Sequence, residues 1–459
     1  MNAGSRSGDY SRDGEHVLRI APPPFLVEPG FAALLTALPD ARVVGGAVRD
    51  ALADRPIADI DLATKLPPAD VMAALQRAGI RAVPTGLAHG TVTAVLDGPT
   101  PRRGVEITTL RRDVATDGRH ATVAFTDDWR QDAARRDFTI NAMSMTRDGA
   151  VHDYFGGIAD LRAGILRFVG DPARRIAEDT LRVLRYFRFY ARYAATPPDP
   201  SVQAALRAGI PGLATLSAER VWSELSRILG APDPAAAVRL MAELGVLDAV
   251  IPEGVDPAAL TRLIAVGAPA DPMLRLAALL TGDVDRFADR LRLSAADRQH
   301  LLDLRVIPPA QPEDDDAALR RRLAEYDRAA LIDRIWLAQA GIAHIGPTQG
   351  APTPRGPAQG SPALVLPGAA AKPAWTHLRT RLAQLPKPVF PLAGSDVLAL
   401  GVTPGPRVGA LLRAIRAWWL AGGCVAGLED CRAELTRMLS RTDATLCLEN
   451  SRSCEQSGP

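Results

Sequence analysis

The fold turns on one stretch, "VVGGAVRDALADRPIADIDLAT", residues 43–64. A short apolar run ends in Gly45 and Gly46, and the helical segment "AVRDALAD" follows at once. "DIDLAT" then reads as a strand that carries Asp59 and Asp61. Side chains two apart on a strand point the same way, so the two aspartates share a face. Like charges held that close are costly unless a cation lies between or beside them. A few hard oxygen ligands, with room left for water and phosphate, suit Mg²⁺. Two-metal phosphoryl transfer places its ions about 3.5–4 Å apart. The ordinary alternative is a solvated D-x-D at a strand end. The glycines weigh against it: they let a phosphate approach the backbone, and the helix start behind them offers unpaired N–H groups. Arg49, one turn into that helix, adds a positive fork. Together these residues describe a pocket that holds a nucleoside triphosphate against metal.

Outward from this stretch, residues 42–110 alternate strands and helices. "PPADVMAALQRAGI" predicts a helix with proline in its first turn. "RAVPT", "GTVTAVLD" and "GVEITTL" predict three strands rich in β-branched residues. The third carries Glu106 between apolar neighbours. Buried acids without partners are rare, so Glu106 is either an acid of the metal site or its surroundings, or a strand-edge glutamate facing water. Residues 111–136, dense in arginine and aspartate, read as a mobile loop. "DFTINAMSMTRDGAVHDYFGG" reads as a last helix followed by a hairpin over "RDG". From about residue 160 the strand signal disappears, and "RIAEDTLRVLRYFRFYARYA" reads as one long helix. "SAERVWSELSRIL" opens with a capping serine, Ser217. Residues 344–374 are dense in Pro, Gly and Ala and read as a linker or insertion.

At 459 residues the chain is expected to hold two to four domains or subdomains. Its net charge of +2 means that any basic surface is local. The cations are nearly all arginine, which suits forked contacts to phosphate and base edges. No apolar run is long enough to span a bilayer. The N-terminal "MNAGSRSGDYSRDGEHVLR" reads as a polar, disordered arm, and the cytoplasm is the expected compartment. Cys424, Cys431, Cys447 and Cys454 cluster near the C-terminus in C-x6-C spacings that do not match short zinc knuckles. The first two read as helical core positions and the others as free thiols in a loose tail.

Six segments occur in one order: "GGAVRD…DIDLAT", "EITTLRRD…DGRHATVAF", "DDWRQDAARRDFTINAM", "DYFGGIADL", "EDTLRVLRYFRF" and "SAERVWSELSRIL". Together they resemble the class II tRNA nucleotidyltransferase/poly(A) polymerase family, strongly over residues 25–260, and most of all its bacterial CCA-adding members. "LAGSDVLALGVTPGPRVGALL" resembles C-terminal segments of the same branch. The resemblance implies an α+β fold: a polymerase-β-like nucleotidyltransferase head, a small mixed sheet with helices, followed by an all-helical neck, body and tail. The boundaries expected are a disordered arm at 1–24, the head at 25–160 and the neck at 161–230. The body follows at 231–343, and the tail at 375–459 after the 344–374 segment. By the same resemblance Asp59 and Asp61 are the metal-binding pair; Glu106, read from its strand alone, is a further candidate catalytic acid. Gly46 and Arg49 contact phosphates, Arg136 holds the incoming nucleotide, and Asp137 lies near its ribose; Gly45, from the reading of the turn above, is a further nucleotide-binding candidate. Asp179, Arg182, Arg185 and Arg188 match the nucleotide-recognition helix. Mg²⁺ is the implied cofactor and CTP, ATP and the acceptor arm of tRNA are the implied partners, with no DNA and no membrane.

The last four residues can be read further from their chemistry. Spaced by three, they are neighbours on a helix face. A carboxylate only accepts hydrogen bonds and a guanidinium only donates them. Cytosine and adenine each show an amino donor beside a ring-nitrogen acceptor; uracil and guanine show the reverse. An Asp/Arg pair therefore fits C and A, and each mismatched buried group costs about 1–3 kcal/mol. The ordinary alternative is a solvated ion-pair ladder. Residues 161–193 also hold eight arginines against three acids, interleaved with Tyr186, Phe187, Phe189, Tyr190 and Tyr193. Most of these rings are expected in the core, and exposed ones could stack on bases.

Within the family, "RRDVATDGRHATVAF" favours full CCA addition. Switching from C to A needs a movable element, with Arg112, Asp113, Asp117 and Arg119 as its contacts. Residues 387–459 balance eight Lys/Arg against seven Asp/Glu, whereas poly(A) polymerases of the family tend to carry basic extensions. The alternatives are a poly(A) polymerase, a non-catalytic RNA-binding protein on the same fold, and a small-molecule nucleotidyltransferase.

Overall fold

The computed structural model describes residues 9–10, 15–96, 103–116, 121–342 and 372–455. Asp117, Arg119 and residues 344–371 of the expected linker lie outside these. The chain divides into two compact units, one of residues 1–257 with 270–272 and 289–292, the other of 258–269, 273–288 and 293–459. The finer division into head, neck, body and tail is kept as a proposal.

Among its described residues the first unit forms eleven strands: β1 (Asp9–Tyr10), β2 (His16–Arg19), β3 (Arg42–Val44), β4 (Asp61–Thr64), β5 (Arg81–Gly86), β6 (Thr91–Leu96), β7 (Arg103–Thr109), β8 (Arg111–Thr116), β9 (Ala121–Phe125), β10 (Ser144–Met145) and β11 (Ala150–Asp153). Nine of them make one mixed sheet in the order β1-β2-β11-β10-β3-β4-β7-β6-β5. Only β4 and β7 run parallel. One face is core: Val43, Leu62, Val92, Ala94, Val105 and Ile107 are all buried. They pack with α1 (Pro29–Ala37) and α3 (Pro68–Arg77), whose apolar stripe is Val71, Ala74 and Leu75. The alternation of β7 leaves Glu106 on the opposite, open face.

Three expectations are corrected here. The arm expected at 1–24 contains β2, which pairs with β11 and so belongs to the sheet. The loop expected at 111–136 is instead the two-stranded sheet of β8 and β9, followed by α4 (Trp129–Ala134). β-branched residues in "RDVAT" and "ATVAF" supply the strand pairing that the charges conceal. The helix expected in "DFTINAM" is a single 3₁₀ turn, Thr139–Asn141, before the β10–β11 hairpin.

That 3₁₀ turn is braced by the next element. Asp153 is buried and accepts hydrogen bonds from the N–H groups of Phe155 (3.1 Å), Gly157 (3.0 Å) and Ile158 (2.9 Å). It thereby anchors the start of α5 (Gly157–Ala163). Gly157 lies so close to the turn that a Cβ would collide with the carbonyl oxygen of Thr139.

Helices complete the unit. The segment expected as one helix is two, α6 (Pro172–Glu178) and α7 (Leu181–Tyr193), because Asp179 is extended at φ −155° and ψ 108°. Leu181, Val183, Leu184, Tyr186 and Phe187 bury one side of α7. The unit continues through α8 (Pro200–Gly209) and α9 (Ala218–Leu229), where Ser217 accepts from the Arg220 N–H as expected of a cap.

The second unit is helical in its described residues. One core gathers Leu274, Leu304, Leu331, Ile335, Leu378 and Leu382. Another gathers Ile415, Trp419, Cys424, Cys431 and Leu435. Both cysteines are buried and free. Cys431 is helical, but Cys424 sits in the turn after helix Pro406–Ala421 at φ 63°. The last helix, Leu428–Glu455, carries the backbone through Cys447 and Cys454, where a loose tail was expected.

Replacing Gly157 with Ala is expected to cost about 1–3 kcal/mol by overpacking, read as a lower urea midpoint at unchanged slope. An unaltered midpoint would contradict the contact with Thr139.

Candidate active site

Register brings the decisive stretch together. β3 pairs antiparallel with β4, with Val44 opposite Asp61, so the Gly45–Gly46 turn leaves β3 beside the aspartates that lead into β4. Asp59 itself precedes β4, and the strand begins only at Asp61. Ile60 is buried between them while both carboxylates are exposed, so they share the open side. Glu106 is the parallel partner of Asp61 on β7, about 4.8 Å away across the sheet. It is exposed and is not among the residues that line the cavity.

Gly45 has φ +69°, where a side chain is strained, and a Cβ there would lie 2.9 Å from Arg136 Nη1. A Cβ on Gly46 would sit 3.5 Å from Arg49 Nη2. The paired glycines thus let two guanidiniums lie against the backbone where α2 (Gly46–Leu52) begins.

A cavity of about 720 Å³ opens at this point. It is lined by Gly45, Gly46, Arg49, Asp59, Asp61, Arg136, Asp137, Asp179, Arg182, Arg185 and Arg188, which are all the expected site residues except Glu106. Its size suits a nucleotide. Arginines outnumber aspartates in its lining, the charge balance a triphosphate calls for.

Each arginine is held by an acid or a ring. Arg185 Nε donates to Asp137 Oδ2 at 2.8 Å, and its Nη2 reaches the same oxygen. Asp137 also accepts from Asn141 Nδ2 and the Phe138 N–H, both at 2.9 Å. Burial resists its ionisation, but Arg185 and these donors hold the carboxyl below the usual range. Asp137 is therefore saturated by protein donors, and its direct service is to fix Arg185. Arg136 Nη2 lies 3.3 Å from Asp132 Oδ2, and Arg135 Nη2 lies 2.8 Å from Oδ1. Asp132 is buried, and against that burial the two arginines depress its pKa. Arg188 Nη1 donates to buried Glu224 at 3.1 Å. Burial, with Arg185 nearby, brings Arg188 down to about 10. The Phe189 ring lies 4.6 Å from Arg188, 5.1 Å from Arg49 and 5.7 Å from Arg185. Tyr186, Phe187 and Phe189 are buried, so these rings serve the core and the arginines; none is free to stack on a base.

The expected face of four residues spaced by three is corrected by the helix break. Asp179 stands outside α7, though its carbonyl accepts from the Arg182 N–H at 3.0 Å. Its Oδ2 accepts from Arg220 at 2.8 Å and its Oδ1 from the Leu181 N–H at 3.1 Å. Arg182 donates to Glu178 at 2.6 Å and to the Arg175 carbonyl at 2.8 Å. The two side chains thus face one cavity without pairing to each other.

Asp50, Asp132, Asn141, Arg220 and Glu224 were not singled out from the sequence. Arg220 and Glu224, four apart in "SAERVWSELSRIL", carried a signal: one helical turn that offers a cation and an acid to a neighbouring arginine helix.

The donor set fits a divalent cation. Among the described residues, neither Asp59 nor Asp61 makes an ion pair or a side-chain hydrogen bond. Asp61 is held above the ordinary aspartate range, first by burial within the pocket walls, then by Glu106 and Asp59, with Arg136 opposing. A cation would relieve that repulsion. No group of three or more His, Cys, Asp or Glu among the described residues forms a metal cage. The ion would therefore complete its shell with water and phosphate oxygens.

A mixed sheet bearing exposed aspartates beside a glycine turn, roofed by an arginine helix, defines a nucleotidyltransferase. Known proteins agree. Residues 41–167 match the family described as "Poly A polymerase head domain", and residues 197–256 match "Probable RNA and SrmB- binding site of polymerase A". The chain is 36% identical over 391 residues to the mitochondrial CCA tRNA nucleotidyltransferase 1 of Danio rerio, spanning 82% of this chain and 83% of that one. It is 40% identical over 216 residues to the CCA-adding enzyme of Geobacillus stearothermophilus, covering 46% and 51%. A crystal structure of the Bacillus stearothermophilus CCA-adding enzyme in complex with CTP superposes with a TM-score of 0.67. It is 27% identical, with 91% of this chain and all of that one covered. The chain belongs to the tRNA nucleotidyltransferase/poly(A) polymerase family, which depends on a divalent metal.

The pKa shift of Asp132 makes a prediction. A carboxylate depressed in the folded state contributes stability above its unfolded pKa, about 3.9, and loses it as pH falls through the lower folded value. Asp132→Asn is expected to lower urea stability at pH 7 and to shrink the difference between pH 7 and pH 3. An equal loss at both pH values would contradict the ion pairs drawn here.

Proposed function

We propose that this chain adds C, C and A, without a nucleic-acid template, to the 3′ end of tRNA from CTP and ATP. The observation that carries this reading is one cavity with two ends: unpaired Asp59 and Asp61 beside a glycine turn, and Asp179 with Arg182 on the recognition side. Gly46, Arg49 and Arg136 would cradle the triphosphate by N–H groups and charge matched to its oxygens, with Gly45, whose own N–H is donated to the Met143 carbonyl, leaving room for it to approach. A divalent ion at Asp59 and Asp61, proposed to be Mg²⁺, would neutralise charge and make the RNA hydroxyl a better nucleophile. The 3′-oxygen bonds to the α-phosphorus, the bond to the bridging oxygen breaks, and pyrophosphate leaves; the hydroxyl proton passes to solvent. The rest is positioning.

Base choice would rest on Asp179 and Arg182. A carboxylate has about four lone-pair sites, and Asp179 spends two on Arg220 and the Leu181 N–H. An acceptor and a donor thus remain for the pairing edge of cytosine or adenine. Arg220 and Glu178 would hold the pair in register. The second, helical unit would take the tRNA by shape and backbone rather than sequence. No described helix is long and apolar enough to cross a membrane; the cytoplasm is proposed as the compartment.

The test is incubation with tRNA lacking its CCA end and each labelled nucleotide. Addition of three residues supports the proposal. Long A tails would instead mark a poly(A) polymerase, and no RNA product would remove both readings. Asp59→Ala is expected to lower incorporation at least about a thousandfold, on the scale of losing a principal charge stabiliser, with tRNA binding retained. Arg182→Ala is expected to relax discrimination against U and G by about tenfold or more. Unaltered selectivity would contradict the base-reading role.

A further inference from the structure

Arg49 is gripped more elaborately than a phosphate contact requires. Its Nε and Nη2 donate to Asp50 Oδ1 and Oδ2, both at 3.0 Å, and its Nη1 donates to Asn141 Oδ1 at 2.6 Å. Neighbours in a helix do not normally face each other, so the forked Arg49–Asp50 pair needs support from outside α2. That support is Tyr193, in the last turn of α7. Its hydroxyl donates to Asp50 Oδ1 at 2.6 Å, and its ring centre lies 4.3 Å from the Arg49 guanidinium. Burial, with Asp50 as acceptor and Arg49 opposing, raises the phenol pKa and keeps its proton in place. The same ring lies 4.6 Å from Arg55, just beyond α2. Tyr193 thus holds both ends of the helix that starts at the glycine turn. It does not line the cavity.

We propose that Tyr193 is a positioning residue for the triphosphate, acting through Asp50 on Arg49. A guanidinium has five N–H donors in a fixed fork. Three are spent on Asp50 and Asn141, which leaves one on each terminal nitrogen. Nη2 lies against Gly46, at the turn where phosphates would sit. Loosening Asp50 would let Arg49 rotate and would weaken phosphate capture for CTP and ATP alike, while the base-reading side stays intact. The inference rests on the function proposed above and adds a residue that its chemistry did not call on.

The experiment uses the full chain and steady-state addition of C and of A to tRNA. Tyr193→Phe keeps the ring over Arg49 and removes only the hydroxyl. It is expected to raise the KM for CTP and for ATP by the same factor, roughly tenfold for a lost hydrogen bond to a charged group. The kcat should stay within about twofold and selectivity among bases should not move. Inhibition by inorganic tripolyphosphate, a probe without base or ribose, should weaken by that same factor. In an Asp50→Ala background the Tyr193→Phe change should add nothing, because the path through Asp50 is already cut. A merely structural role would lower thermal stability and leave KM, tripolyphosphate inhibition and the cycle unmoved, and would overturn the proposal. Effects of the two substitutions that multiply would overturn it as well. Wild-type protein that incorporates no nucleotide would instead contradict the proposed function itself, and is separately visible.

Discussion

The pairing of Val44 with Asp61 is the constraint on which the site depends. It joins two local features that are useless apart: a glycine turn at the start of α2, and aspartates that make no ion pair among the described residues. Shifting the register by one residue would turn Asp61 into the core and bring Leu62 to the open face. The buried alternation of Val43, Leu62, Val105 and Ile107 opposes that slip. The apolar core on one face thereby fixes the placement of charge on the other.

Repulsion is stored on both sides of the cavity. On the sheet carboxylate stands beside carboxylate, and burial first, then Glu106 and Asp59, raises the pKa of Asp61. On the helices guanidinium stands beside guanidinium, and burial first, then Arg185, lowers the pKa of Arg188. Acids behind the arginines, Asp132, Asp137 and Glu224, offset the second without filling the cavity. A triphosphate with a metal ion would relieve both at once, so the ligand-free site is prepared for its charge.

Much of this was legible from local sequence. Residues 42–110 alternate β-branched runs with proline-started helices, and their elements fall where periodicity places them. Most site residues stood in recognisable segments, and the cavity collects all of them but Glu106. What stayed hidden was of two kinds. Charge concealed structure in residues 111–125, where arginine and aspartate interrupt the alternation of β8 and β9. Periodicity concealed a break at Asp179, because charged residues at every third position, Asp179, Arg182, Arg185 and Arg188, read as one helix face. The roles of supporting residues stayed hidden for a further reason: Tyr193 stood in view only as one ring among arginines and Asn141 not at all, because only tertiary folding decides which arginine they meet.

The most direct test of the account is a crystal structure of the protein with CTP and Mn²⁺, the ion located by its anomalous signal. The account predicts a peak between the Asp59 and Asp61 carboxylates, the triphosphate on the Gly45–Gly46 turn, and the cytosine edge against Asp179 and Arg182. A peak away from both aspartates, or a nucleotide bound outside this cavity, would contradict it.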